Sequence, residues 1–120
     1  MKEQIQALKD ISEKLKKFTH ERDWEQFHSP KNLAMALSVE AAEVMEIFQW
    51  LTQQQSKNLD PEKLERVKQE IGDVLIYLVS LSDALGINPV QAAEKKLEIN
   101  ENKYPADIVR GSAKKYSEYD

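Results

Sequence analysis

Apolar residues recur along this chain at spacings of three and four, and polar breaks divide them into four runs. In the first run Ile5, Leu8, Ile11, Leu15 and Phe18 are separated by Lys and Glu, which predicts an amphipathic helix over residues 2–22. Asp23 to His28 has no clear period and reads as a connection. Three signals then place a good N-cap residue before a proline at the first helical position: Ser29-Pro30, Asp60-Pro61 and Asn88-Pro89. They predict helices over 30–53, 61–84 and 89–104. Gln54 to Leu59 forms a polar loop between the second and third. Gly86 stands where a C-terminal cap belongs, and Pro105 disfavours helix in the residue before it. Residues 105–120 show no periodicity and read as an irregular tail. The expectation is an all-α, four-helix-bundle-like fold built as a single domain, 1–120.

Two acidic pairs break the apolar pattern. Glu40-Ala41-Ala42-Glu43 lies inside the run from Leu33 to Leu51, and Glu70-Ile71-Gly72-Asp73 begins the run from Val67 to Leu85. Each has the i, i+3 spacing that puts two carboxylates on one side of a helix, about one turn apart. On a helical wheel Glu40 falls near the middle of the arc of Leu33, Leu37, Val44, Ile47, Phe48 and Leu51. Glu43 and Glu70 lie at stripe borders, Asp73 lies farther out, and Glu46 points towards solvent. An unpaired buried carboxylate costs several kcal/mol or takes up a proton. Two such pairs on facing helices form an all-oxygen cage suited to Mg²⁺, with Mn²⁺ as the alternative. The competing reading is an ion pair with Lys or Arg from another helix. Di-iron bundles use Glu-x-x-His on two helices, and no histidine stands at i+3 from these carboxylates.

Composition narrows the partners. The formal net charge of −4 argues against general nucleic-acid binding, and the absence of cysteine excludes disulfides and thiolate chemistry. Unbroken apolar stretches are too short to cross a bilayer, and Met1 to Gln4 lack a secretory signal, so the expectation is a cytoplasmic protein with no membrane partner. A helical chain of 120 residues often gains stability by oligomerising.

Aromatic and basic residues surround the acids. Trp50 follows Glu43 by seven residues, Tyr77 follows Asp73 by four, and Trp24 and Phe27 lie in the preceding connection. They could wall a pocket in which a nucleobase stacks, although core packing is the usual fate of such residues. His20 closes the first helix. Lys96 and Asn100, at i, i+4, share a face of the last helix, where a lysine opposite bound Mg²⁺ holds a phosphate as a point charge. No glycine-rich phosphate loop is present.

The pattern Glu40-x-x-Glu43 with Glu70-x-x-Asp73 resembles the signature of the all-α nucleoside triphosphate pyrophosphohydrolases, the MazG-like group. Glu21-Arg-Asp-Trp-Glu-Gln-Phe-His28, Ser38 to Trp50, Asp73 to Val79, Asn100, Lys103-Tyr104-Pro105 and Arg110-Gly-Ser-Ala-Lys114 are similar to its dCTP pyrophosphatase branch. Ala42 and Val39 stand where many relatives have glycine. The resemblance implies hydrolysis of a nucleoside triphosphate, dCTP or a modified dCTP, to monophosphate and pyrophosphate. It implies Mg²⁺ on Glu40, Glu43, Glu70 and Asp73; the mechanism expected on that set has Glu40 or Glu43 handling the attacking water and Lys96 steadying negative charge. It further implies His20, Trp24, Trp50 and Tyr77 around base and sugar, Lys96 and Asn100 near phosphates or sugar, and Tyr104 and Arg110 as further substrate contacts. Homodimers or homotetramers are implied too. Two other classes remain open from the residues alone: a nucleotide-binding or sensing module with little turnover, and a structural helical oligomer with its acids in ion pairs.

Overall fold

The computed structural model describes residues 2–113; Lys114 of the tail motif and the rest of the tail expected to be irregular, to residue 120, lie outside them. The described residues are all-α, with no strand among them. The elements are α1 (Lys2–Glu21), a 3-10 turn (Glu25–Phe27), α2 (Pro30–Phe48), α3 (Gln53–Ser56), α4 (Pro61–Ala84), α5 (Pro89–Lys103) and α6 (Ala106–Val109). They form two compact units, Met1–Ile87 and Asn88–Asp120.

The three proline signals act as helix starts. Ser29 accepts from the Asn32 N–H at 3.2 Å, Asp60 from that of Lys63 at 2.8 Å, and Asn88 from those of Val90 and Gln91 at 3.0 and 3.2 Å. Each bond satisfies a donor that the first turn leaves without an intrahelical partner. Two four-residue helices were absent from the sequence expectation. The helix expected to run to Gln53 stops at Phe48, because Thr52 opens a new one. The Thr52 hydroxyl accepts from Gln55 N–H at 3.1 Å, and the Gln55 side chain accepts from Thr52 N–H at 2.9 Å. That reciprocal cap requires extended backbone at Thr52, which a continuous helix cannot supply. The tail, expected to be irregular from 105, makes one helical turn at Ala106–Val109.

In the first unit α4 packs along α2 and α1. Leu33 and Ile47 of α2 and Val67 and Val79 of α4 are buried, and Ser82 joins them with its hydroxyl donating to the Leu78 carbonyl at 2.8 Å. A second tie holds α1 to α4: the Ser12 hydroxyl donates to Asp83 Oδ2 at 2.6 Å. The apolar stripe read on α4 is only partly core. Ile71, Leu78 and Leu85 are exposed, and with Leu64 they recur every seven residues.

Candidate functional site

Packing α4 along α2 brings three of the four acidic residues together. One carboxylate oxygen from each of Glu40, Glu43 and Glu70 lies within 4.8 Å of the other two, and all three residues are half-buried. Glu40 and Glu43 come one turn apart on α2, and Glu70 faces them from α4. Oε2 of Glu40 and Oε2 of Glu70 are buried and have no hydrogen-bond partner. The ion pairs among the described residues involve Glu21, Glu25 and Asp60, and none reaches the cluster.

This arrangement resists full ionisation. Removal from water pushes the Glu40 carboxyl up to about 7, with further contributions from the Glu43 side chain and from the charges of Asp73 and Glu70. Glu70 is raised as well, first by a hydrogen bond with the Glu43 side chain and then by burial. Like charges this close cannot all be carried without a proton or a cation. The donor set is entirely oxygen and holds two unpartnered buried oxygens, so it fits a hard divalent cation. Asp73 is half-buried one turn beyond Glu70, outside the 4.8 Å group, yet near enough for its charge to act on both Glu40 and Glu70.

The expected substrate residues fall in three places. Tyr77 is half-buried on α4, one turn after Asp73. Trp50 lies in the turn after α2 and is 86% exposed, so it does not join the core. Trp24 is 44% exposed and packs edge-on against Phe18, with ring centroids 5.8 Å apart, while the Arg22 guanidinium stacks 3.7 Å above Phe18. Lys96, Asn100, Tyr104 and Arg110 belong to the second unit. There Lys96 and Asn100 share a face of α5, Tyr104 caps that helix and Arg110 caps α6.

His20 sits elsewhere in the first unit, at a cleft of about 630 Å³ whose walls include Leu15, Thr19, Glu25, Leu33, Ser80 and Asp83. His20 Nδ1 hydrogen-bonds Glu25 Oε1 at 2.7 Å. Leu33 precedes Glu40 by seven residues and Ser80 follows Asp73 by seven, so the cleft lies two turns, roughly 10 Å, along the α2–α4 seam from the acids. Glu25, Ser80 and Asp83 were not among the site residues read from the sequence. No spacing motif marks them, since the Asp83 partner Ser12 is 71 residues away in sequence.

The chain is similar to known proteins. Residues 35–119 match the MazG-like family. The chain is 41% identical over 114 residues to dCTP pyrophosphatase 1 of Homo sapiens and to that of Mus musculus, in each case covering 93% of this chain and 67% of the relative. A crystal structure of a pyrophosphatase from Archaeoglobus fulgidus superimposes with a TM-score of 0.74 at 43% identity, covering 82% of this chain and 93% of that one. The family match takes in both acidic pairs, all of α4 and most of α2, and on these grounds the chain belongs to the MazG-like family.

Proposed function

We propose that this protein hydrolyses a deoxynucleoside triphosphate, dCTP or a modified dCTP, to the monophosphate and pyrophosphate. The observation that carries this reading is the pair of buried, unpartnered carboxylate oxygens on Glu40 and Glu70 beside Glu43. The dCTP pyrophosphatase relatives supply the substrate class.

Glu40, Glu43, Glu70 and Asp73 would hold Mg²⁺, with Mn²⁺ able to replace it. The cation, when bound, supplies neutralisation of phosphate charge. Glu40 or Glu43 accepts a hydrogen bond from the attacking water and takes its proton as water adds across the bond between the α- and β-phosphates. The water oxygen bonds to one of these two phosphorus atoms as the bridging P–O bond breaks, and the nucleoside monophosphate and pyrophosphate are the two products. Tyr77, one turn beyond Asp73, lies beside the acids as a wall for sugar or base. Lys96 and Asn100 on α5 are assigned to the phosphates and sugar, and Tyr104 and Arg110 to further substrate contacts. Trp24 is an exposed aromatic face available for the base, and Trp50, exposed beyond the other end of α2, is assigned to the base of a second copy's substrate.

The reading includes self-association. Leu64, Ile71, Leu78 and Leu85 form an exposed stripe with the seven-residue repeat of a helix–helix seam. A second copy of this chain is the occupant proposed, giving a homodimer or homotetramer, and light scattering on Leu78→Lys should show a smaller species than the parent.

The deciding experiment incubates the protein with each dNTP and Mg²⁺ and separates the products. Pyrophosphate and monophosphate in equal amounts are expected, fastest with dCTP. Release of orthophosphate, or no turnover of any dNTP, would sink the reading.

A further inference from the structure

The cleft beside His20 has the right place for the substrate's base, and one of its walls carries a group able to choose between bases. A nucleotide whose phosphates meet the acids must send its base along the α2–α4 seam or away from it. Along the seam, Leu33 of α2 and Ser80 of α4 lie two turns beyond Glu40 and Asp73 respectively, and both line the cleft. Roughly 10 Å of helix rise separates the two places, comparable to the distance from phosphate to base edge in an extended nucleotide. Leu15 and Leu33 provide apolar surface for the ring faces, while Thr19, Ser80, His20 and Asp83 provide polar edges.

Among those polar groups Asp83 has the most restrictive chemistry. An ionised carboxylate only accepts hydrogen bonds, whereas a hydroxyl adapts to donors and acceptors alike. Its Oδ2 is engaged by the Ser12 hydroxyl at 2.6 Å. The bond crosses from α1 to α4 and fixes the direction of the carboxylate. Carboxylates recognise the exocyclic amine of cytosine in this way, and they repel the carbonyl that uracil and thymine place at the same position.

Building on the function proposed above, we infer that Asp83, oriented by Ser12, determines specificity by accepting from the exocyclic amine of a pyrimidine seated in the cleft. Ser12 is a positioning residue with no contact to the base. Across the cleft stands the second carboxylate of the lining, Glu25, whose Oε1 is engaged by His20 Nδ1 at 2.7 Å.

The test is equilibrium binding of dCMP and dUMP, measured by calorimetry in Mg²⁺ on the full chain, so it does not depend on turnover. The parent protein should prefer dCMP by roughly tenfold or more, the range expected for one well-placed base contact. Asp83→Asn keeps an oxygen for Ser12 and a nearly identical shape, but its amide can turn to donate or accept. The preference should then fall to about threefold or less, chiefly through tighter dUMP binding. Ser12→Ala should give a partial loss of the preference, with only the small fall in melting temperature expected for one exposed hydrogen bond. A parent protein without base preference, or an Asp83→Asn variant that keeps it whole, overturns the inference. Failure of the proposed function reads differently, as an absence of pyrophosphate release whatever the binding preference.

Discussion

At one end of the α2–α4 seam, Oε2 of Glu40 and Oε2 of Glu70 are buried without a partner. Two turns away, His20 is matched by Glu25 and Asp83 by Ser12. The first group is incomplete by itself, because three carboxylates share a space that favours fewer charges. The second group is complete, exposed and held in direction by its own neighbours. An incomplete cluster takes its stability from what it binds. A complete one can tell ligands apart without depending on them. Under the function proposed above, the seam separates holding the triphosphate from reading its base.

The sharpest way to break this contrast is Glu40→Gln. Pyrophosphate release should fall on the order of a hundredfold or more, since even the outer partners of metal ligands contribute tenfold to a hundredfold. The same substitution removes one unpartnered charge, so the metal-free protein should melt at a higher temperature than the parent at about pH 8. Full activity, or a lower metal-free melting temperature, would show that the cluster is complete without a cation.

Proton and cation should also compete for the cluster. Glu40 ionises at 4.5 in its ordinary environment and at about 7 in the folded chain. Its raised value means that its stabilising contribution is present in full below about 4.5 and is lost as pH rises through about 7. Metal-free protein should therefore lose stability across that window on account of this group. Added Mg²⁺ should raise the melting temperature more at about pH 8 than at about pH 5.5, because the ligands bind metal only when deprotonated. Equal shifts at both values would place the cation elsewhere.

On the cleft side the expected effects are smaller. His20 and Glu25 are 82% and 60% exposed, so Glu25→Ala should change stability by less than about 1 kcal/mol. If the ring bounds the base, KM should rise about threefold with kcat unchanged, the signature of lost uniform binding. Glu25→Gln should restore the parent value, since its amide oxygen still accepts from Nδ1–H. A matching fall in kcat would move His20 from the reading side of the seam to the chemical side.

What the sequence revealed follows the range of the interactions. Ser29, Asp60 and Asn88 were legible as caps because each acts within three residues. Glu40, Glu43 and Glu70 were legible because helical periodicity projects them onto common faces. The end of α2 was not, since the apolar run continues through Leu51 while the Thr52–Gln55 cap forces a break before it. Trp50, expected inside that helix, falls in the turn just beyond it. The α4 stripe joined buried Val67 with Ile71, Leu78 and Leu85, which are exposed, because periodicity alone does not distinguish an apolar face packed within the chain from one left outside. Asp83 was invisible because its meaning comes from Ser12 on another helix.

The smallest effect is expected at the turn that leads into the cleft. After α1, Asp23 takes φ 54°, and Trp24 and Asp23 donate to the Thr19 and His20 carbonyls at 3.1 Å each. After α4, Gly86 does the same work at φ 67°, with Ile87 and Gly86 bonded to the Ser82 and Asp83 carbonyls. Nothing lies within 4 Å of a Cβ added at Gly86, so Gly86→Ala should cost only the left-handed conformation, roughly 1 kcal/mol. Asp23→Gly relieves a similar strain but adds freedom to the unfolded chain. It also removes the side-chain bond from Gln26 at 3.2 Å, although Gln26 keeps the Asp23 carbonyl at 2.9 Å. These changes nearly cancel, and the melting temperature should move by an amount equivalent to about 0.5 kcal/mol or less. A gain as large as the loss at Gly86→Ala would mean that the Asp23 side chain contributes nothing. The cleft entrance would then carry unrelieved backbone strain, and the contrast along the seam would be between unpartnered charge and strained chain rather than between incomplete and complete polar groups.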